Sequence, residues 1–217
     1  MEKGMKGMDE LRKEYSKASL DISDVNKDPI GQFDKWFKEA LAAGIPEPNA
    51  FTLSTISEGG RPSARIVLLK GLDQRQFVFY TNYQSQKGKE LDSNPACALT
   101  FFWPELERQV RIEGIATRVQ ESTSEQYFQS RPRGSQIGAW ASPQSSVIAN
   151  REILEARERE MEKKYDGMSL LPKPKQWGGF SITPVEIEFW QGRASRLHDR
   201  VVYYLADEQW TIHRLAP

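Results

Sequence analysis

Arg65-Ile66-Val67-Leu68-Leu69-Lys70 places a cation at each end of an unbroken apolar run. Val, Ile and Leu in such a run suit a strand buried on both faces. Alternation along a strand sends Arg65 and Lys70, five positions apart, to opposite faces. A buried cation needs a counter-charge, and the run holds no Asp or Glu. Either both cations end the strand in solvent, as Lys and Arg mostly do, or they serve bound anions at two separate places. Further on, Arg196, His198 and Arg200 alternate in Arg196-Leu197-His198-Asp199-Arg200. On one strand they share a face, where they repel unless an anion or an electron-rich ring lies over them. The alternative is a strand washed by water, with Asp199 as partner to a neighbour. A third group, Tyr127, Arg131 and Ser135, recurs at intervals of four. Two hydroxyls and a guanidinium aligned in this way form a phosphate cradle. Pro132 disfavours helix at Arg131, so a helix followed by a turn is expected there.

The elements that must position these groups follow from periodicity and punctuation. Asp28-Pro29 reads as the N-cap and first turn of a helix. Ile30, Phe33, Trp36, Phe37, Ala40 and Leu41 follow at helical spacing, and Gly44 stops it. Ahead of it, Met8 to Lys17 can form a short helix in a charged terminal tail. From Ala50 the period is that of strands: 50–56, then 61–70 after Ser57-Glu58-Gly59-Gly60, then 77–81 after a turn at Asp73-Gln74. These three would make an antiparallel meander. A short helix follows between Tyr83 and Ser93, starting near Ser85, with Lys87 and Lys89 in its first turns. Cations there oppose the helix dipole unless an anion docks. Strands over 96–103 and 108–119, joined at Pro104, precede a helix over 122–130. Gln144-Ser145-Ser146 caps a long charged helix over 147–164, and Pro172, Pro174 and Gly178-Gly179 mark a loop. Strands over 180–182, 185–191, 196–205 and 210–212 complete the chain. About eight or nine sequential strands with a few helices favour an antiparallel barrel with helices packed outside it. There is no Gly-rich loop between strand and helix, so a phosphate must be held by side chains.

Composition narrows the classes. Thirty basic and thirty acidic residues among 217 balance, which marks neither a nucleic-acid-binding nor a membrane-surface protein. No apolar run approaches a membrane span, and no signal-peptide core opens the chain. One cysteine, Cys97, excludes an intramolecular disulfide and suits a reducing cytoplasm. With only His198 and His213 beside it, a metal site is not expected. Six Trp, seven Tyr and ten Phe make either ordinary core or a seat for a flat aromatic ligand.

Several long blocks occur together: the 65–70 run, Phe79-Tyr80-Thr81-Asn82, Glu107-Arg108-Gln109-Val110 and Ser130-Arg131-Pro132-Arg133. They continue with Ser135-Gln136-Ile137-Gly138-Ala139-Trp140, Gln144-Ser145-Ser146, Glu188-Phe189-Trp190-Gln191-Gly192 and the 196–200 block. In these, and from Leu11-Arg12-Lys13-Glu14-Tyr15 to the terminal Arg214-Leu215-Ala216-Pro217, the sequence closely resembles the pyridoxine (pyridoxamine) 5′-phosphate oxidase family. The resemblance implies a mainly β fold with α: an antiparallel split β-barrel that binds FMN, with helices outside it. It implies a homodimer with FMN at the subunit interface. Residues 1–20 would be a mobile lid and 21–217 a single FMN-binding domain. FMN would be held by Arg65, Ile66, Val67, Leu68, Leu69, Lys70, Tyr80, Thr81 and Lys87. Gln109, Gln144, Ser145, Trp190 and Arg200 would complete the flavin site, some from the partner chain. The substrate phosphate would meet Lys70, Tyr127, Arg131 and Ser135. Arg196 and His198, as the catalytic pair, would cover the substrate ring, and Arg12 and Tyr15 would belong to the lid.

The implied reaction is FMN-dependent oxidation of pyridoxine 5′-phosphate and pyridoxamine 5′-phosphate to pyridoxal 5′-phosphate, with O2 reduced to H2O2. Two other classes remain: a split-barrel flavin reductase with another substrate, and a flavin- or pyridoxal-phosphate-binding protein without catalysis. One departure is visible. The family commonly has Arg immediately before the lysine that is Lys87 here, and this chain has Gln86. The change removes ~1.5–3 kcal/mol of charge-assisted bonding from the FMN phosphate unless another group, such as Lys89, replaces it.

Overall fold

The computed structural model describes residues 14–217. Arg12 and the start of the helix expected from Met8 lie outside them, and residues 14–20 are not helical. Among the described residues nine strands join one sheet: β1 Ala50–Ile56, β2 Pro62–Leu68, β3 Gly71–Asp73, β4 Gln76–Asn82, β5 Ala96–Trp103, β6 Arg108–Arg118, β7 Trp177–Gln191, β8 Asp199–Ala206 and β9 Gln209–Leu215. Their order is β2-β1-β5-β6-β7-β4-β3, with β8 on β7 and β9 on β8. Five α-helices accompany them among the described residues: α1 Pro29–Ala42, α2 Gln86–Ser93, α3 Glu121–Ser130, α4 Arg133–Ala141 and α5 Glu152–Lys164. Contacts divide the chain into two compact units.

The first unit comprises Asn49–Leu99 and Ile112–Val185. Its β1 and β2 form an antiparallel hairpin from Ala50↔Leu68 to Ile56↔Pro62. The tight β3–β4 turn needs two left-handed residues, Gln74 (φ 46°) and Arg75 (φ 69°). The expected meander does not form, because β4 pairs with β7 (Phe77↔Ile182 to Asn82↔Trp177) rather than with β2. Nor is β2 buried on both faces. It ends the sheet order, its residues are exposed or half-buried, and Ile66 is 65% exposed. Leu69 and Lys70 have already left the strand.

The expected loop at Gly178-Gly179 is instead the start of β7, a single strand that also spans the gap expected near Pro184. The glycines are there because aromatic rings cover them. A Cβ on Gly178 would lie 2.1 Å from Tyr83 Oη, and one on Gly179 would lie 2.8 Å from the Tyr80 ring. Gly88, in α2, fits against the Tyr83 carbonyl in the same way, with a would-be Cβ at 2.3 Å. Ser85 caps α2 by accepting from Gly88 N, as its position predicts. Pro132 ends α3, with Arg131 extended, and α4 begins directly after it. The helix expected from 147 starts only at Glu152, because Ser145 is left-handed (φ 70°) and residues 144–150 are irregular. Phe128, Ile137, Tyr165, Leu171 and Trp177 form the core under α3, α4 and α5.

The second unit comprises the segment up to Pro48, Thr100–Arg111 and Glu186–Pro217. Asp28 caps α1 by accepting from Ile30 N and Gly31 N, and Gly44 (φ 68°) follows its end. The helix buries Phe33, Trp36 and Ala40, with Phe33 against Phe101 and Trp36 against Phe189, each at 5.1 Å between ring centroids. Each such aromatic contributes roughly 1.5–3 kcal/mol by leaving water. In the register of β7 with β8, Trp190 lies opposite Arg200. The single strand expected over 196–205 is a correction. Ala194–Arg196 is a 3-10 turn with Ser195 (φ 55°) and Arg196 (φ 62°) left-handed, and β8 starts at Asp199. Arg196, His198 and Arg200 therefore do not alternate along one strand face.

Candidate functional site

In the first unit a cavity of about 440 Å³ opens where the end of β2, β4, α2 and α4 meet. That volume lies in the range of small-molecule sites. Ile66, Val67, Leu68, Lys70, Tyr80, Thr81, Lys87, Arg131, Ser135 and Gln144 line it, as do Trp177 and Asn82. Ten residues expected at a ligand thus meet at one cavity. Tyr127 stands behind it, stacked on Tyr80 at 3.9 Å between centroids, and Tyr80 in turn lies parallel to Trp177 at 5.4 Å. Leu69 is buried, with its N–H on the Asn49 carbonyl, and Ser145 is exposed beside Gln144.

Three cations, Lys70, Lys87 and Arg131, line this cavity. Lys70 is exposed, and its backbone N–H is fixed on Val78 O at 2.8 Å. Arg131 lies over Trp177, 4.8 Å from the ring centroid. Its Nη1 is buried and has no hydrogen-bond partner among the described residues. Burial pulls the Arg131 guanidinium below its usual range, with Tyr127 opposing. Lys87 Nζ donates to Thr81 Oγ1 at 3.3 Å and reaches Gln144 Oε1 at 3.5 Å. Burial, and the Arg65 charge after it, lower the Lys87 ammonium. Buried cations left this short of partners are costly unless a ligand completes them.

Arg65 behaves differently. Glu90 of α2 supplies a counter-charge that the 65–70 run lacks. Arg65 Nη2 donates to Glu90 Oε2 at 3.1 Å and to Ser63 Oγ, while Nη1 donates to Thr55 Oγ1, Leu53 O and Ser63 O. Burial would raise the Glu90 carboxyl, but Thr55, Gln86 and Arg65 together hold it below the ordinary value. Gln86 donates to Glu90 Oε1 at 2.9 Å, so its amide belongs to this network. Sequence reasoning missed Glu90. Its spacing of four from Gln86 on a helix was the available signal.

The second unit holds the remaining expected residues. His198 lies 4.6 Å from Trp190 between ring centroids, and Tyr15 meets both rings edge-on, at 5.8 Å from Trp190 and 5.9 Å from His198. His198 Nδ1 accepts the Arg193 N–H at 3.1 Å, so the neutral ring carries its own hydrogen on Nε2. Arg196 is exposed and Gln109 half-buried on β6. Arg200 is held by the buried Glu188, Nε to Oε1 at 2.8 Å and Nη2 to Oε2 at 2.9 Å, and Arg111 donates to the same carboxylate at 3.0 Å. Glu188 sits inside a block singled out in the sequence, yet its role as the anchor of two arginines shows only in the fold.

Residues 37–165 match the family model described as pyridoxamine 5′-phosphate oxidase, and residues 177–217 match that of the pyridoxine 5′-phosphate oxidase C-terminal dimerisation region. The pyridoxine/pyridoxamine 5′-phosphate oxidase of Burkholderia ambifaria is 58% identical over 211 residues, covering 96% of this chain and 98% of that one. Its counterpart in Paraburkholderia phymatum is 57% identical over 214 residues, covering 98% and 100%. Among solved structures, PhzG from Burkholderia lata, in complex with tetrahydrophenazine-1-carboxylic acid, superposes with a TM-score of 0.85 at 30% identity, covering 92% of this chain and all of that one. A pyridoxamine 5′-phosphate oxidase-related, FMN-binding protein from Nostoc punctiforme gives a TM-score of 0.70 at 17% identity, covering 85% and 97%. The fold is thus the expected antiparallel split barrel.

Proposed function

Because the chain belongs to the pyridoxamine 5′-phosphate oxidase family, we propose that it oxidises pyridoxine 5′-phosphate and pyridoxamine 5′-phosphate to pyridoxal 5′-phosphate, with O2 as acceptor and H2O2 as product. FMN is the cofactor, supported by family membership and by the FMN-binding relative of like fold. The observation that carries the substrate reading is the buried, unpartnered Arg131 Nη1 in a cavity that also presents Lys70 and Ser135. A phosphate ester is the ligand class that completes such a set.

The reaction sets what the residues must do. Pyridoxine phosphate and O2 give pyridoxal phosphate and H2O2; the amine substrate also consumes water and releases ammonia. FMN, when bound, supplies the two-electron chemistry that no side chain offers. The chain supplies position. Lys70, Arg131 and Ser135 hold the substrate phosphate, with Tyr127 steadying Tyr80 from behind. Lys87, Thr81 and Gln144 would hold the FMN phosphate, and residues 66–69 would contribute to the flavin site. Arg65 acts by way of Glu90 and Ser63, which lock the strand end. Trp190, Gln109, Ser145 and Arg200 contribute to the flavin site, and Arg196, Tyr15 and Arg12 to covering the substrate ring. His198 offers an Nε2–H that orients a substrate oxygen rather than a free lone pair that removes its proton. The protein works as a homodimer with FMN at the interface, a reading supported by the match to a dimerisation region.

PhzG favours a second reading, in which a carboxylate-bearing ring takes the place of the phosphate ester. One spectrum separates the two. Anaerobic addition of pyridoxine 5′-phosphate to the yellow protein should bleach its visible bands. Bands that persist with both phosphate substrates, yet bleach with a reduced phenazine carboxylate, would replace the first reading by the second. A protein that stays colourless with FMN supplied would sink both.

A further inference from the structure

Glu107 is buried, at 2% exposure, and sits in the turn between β5 and β6 with a left-handed backbone (φ 56°). It holds two segments at once. Its carboxylate Oε2 accepts the backbone N–H groups of Ser16 and Lys17 at 2.9 and 3.0 Å. Its own carbonyl accepts Gly192 N–H at 2.7 Å and the buried Gln191 amide at 3.3 Å. Tyr15, the residue before Ser16, rests on Gly192 so closely that a Cβ there would lie 2.7 Å from Tyr15 Cγ. Gly192 has no left-handed φ, so the ring of Tyr15 is what excludes a side chain there. The same ring meets Trp190 and His198. Lys17 adds a second tie, Nζ to Glu105 O.

We infer that Glu107 is a positioning residue that clasps the Tyr15–Lys17 strand of chain to Gly192 and thereby sets substrate affinity through the Tyr15 ring. This rests on the oxidase reading for the last step, because Trp190 and His198 are assigned to the ligand there. The clasp itself stands on geometry alone. A carboxylate taking two main-chain donors immobilises the segment that carries Tyr15, and cleavage after the exposed Lys17 requires that segment to leave the carboxylate. Glutamine keeps an acceptor oxygen at that position, whereas alanine has none.

The test uses the full-length, FMN-loaded protein and two readouts. Trypsin cleavage after Lys17, followed by mass spectrometry, should accelerate about tenfold in Glu107→Ala, in line with the loss of charge-assisted bonds. Glu107→Gln should recover most of that protection. KM for pyridoxine 5′-phosphate should rise about tenfold in Glu107→Ala while kcat stays within about twofold, the pattern of lost binding rather than lost chemistry. Gly192→Ala should expel Tyr15 and give the same pair of changes without touching the carboxylate. In a Tyr15→Ala background it should add nothing. Cleavage and KM within about twofold of the parent in both Glu107→Ala and Gly192→Ala would overturn the proposal. Absence of turnover in the parent protein would instead count against the oxidase reading, and the cleavage measurements would still decide the clasp.

Discussion

Arg65 and Glu90 are each other's counter-charge, with Nη2 3.1 Å from Oε2 and both side chains largely out of water. The pair joins β2 to α2, and α2 carries Lys87 into the cavity. Removing the carboxylate leaves a desolvated guanidinium beside Lys87, whose ammonium is already lowered by burial and by Arg65. Breaking one partner of such a pair costs about 3–5 kcal/mol. Glu90→Ala should lose about that much in urea denaturation and should weaken FMN binding with it. Unchanged stability would show that water reaches Arg65 freely.

Arg131 should respond in the opposite sense in stability and in function. Its Nη1 is buried without a partner among the described residues, and its guanidinium already rests on Trp177. Arg131→Leu keeps apolar contact and removes an uncompensated charge, so denaturation should show no loss. KM for the phosphate substrates should rise about ten- to hundredfold, the worth of ~1.5–3 kcal/mol of charge-assisted bonding. Steady-state kinetics with an unaltered KM would remove Arg131 from the phosphate.

Lys87 gives a pH signature. Burial first, and Arg65 second, hold its ammonium below 10.5 in the free protein. A bound phosphate favours the charged form and raises it again. Affinity for FMN is then full below the free-protein value and falls as pH climbs through it toward the bound value. Fluorescence titration from neutral pH to about 10 should show a flat region and then an alkaline decline. The decline should vanish in Lys87→Met. A decline that survives the substitution belongs to another group.

Local signals in the sequence were reliable wherever a residue's own neighbours decided its conformation. Asp28, Ser85 and Gly44 cap or stop helices as their types require, and β1 and β5 run over the residues expected of them. Lys70, Lys87, Arg131, Ser135 and Gln144 lie far apart in the chain and reach one cavity through the fold; only the family resemblance links their blocks in the sequence. What stayed hidden depended on partners from elsewhere. Gly178 and Gly179 look like a loop until Tyr83 and Tyr80 are laid over them. The 65–70 run looks doubly buried, but β2 ends the sheet order and Ile66 faces outward. Ser195 and Arg196 break an apparent alternation because both adopt left-handed backbones that their residue types do not announce. Glu90 is an unmarked acidic residue, and Glu107 only the first member of a recognised block, until the turn, helix and strand ends that surround them are assembled.

Tyr127, Tyr80 and Trp177 lie parallel like leaves of a book, 7–15° apart, and the Arg131 guanidinium lies over the last leaf. The rings brace one another, and the guanidinium carbon rests 4.8 Å from the Trp177 centroid. A change to any one leaf, Tyr127 included, is therefore expected to shift the charge that rests on the stack.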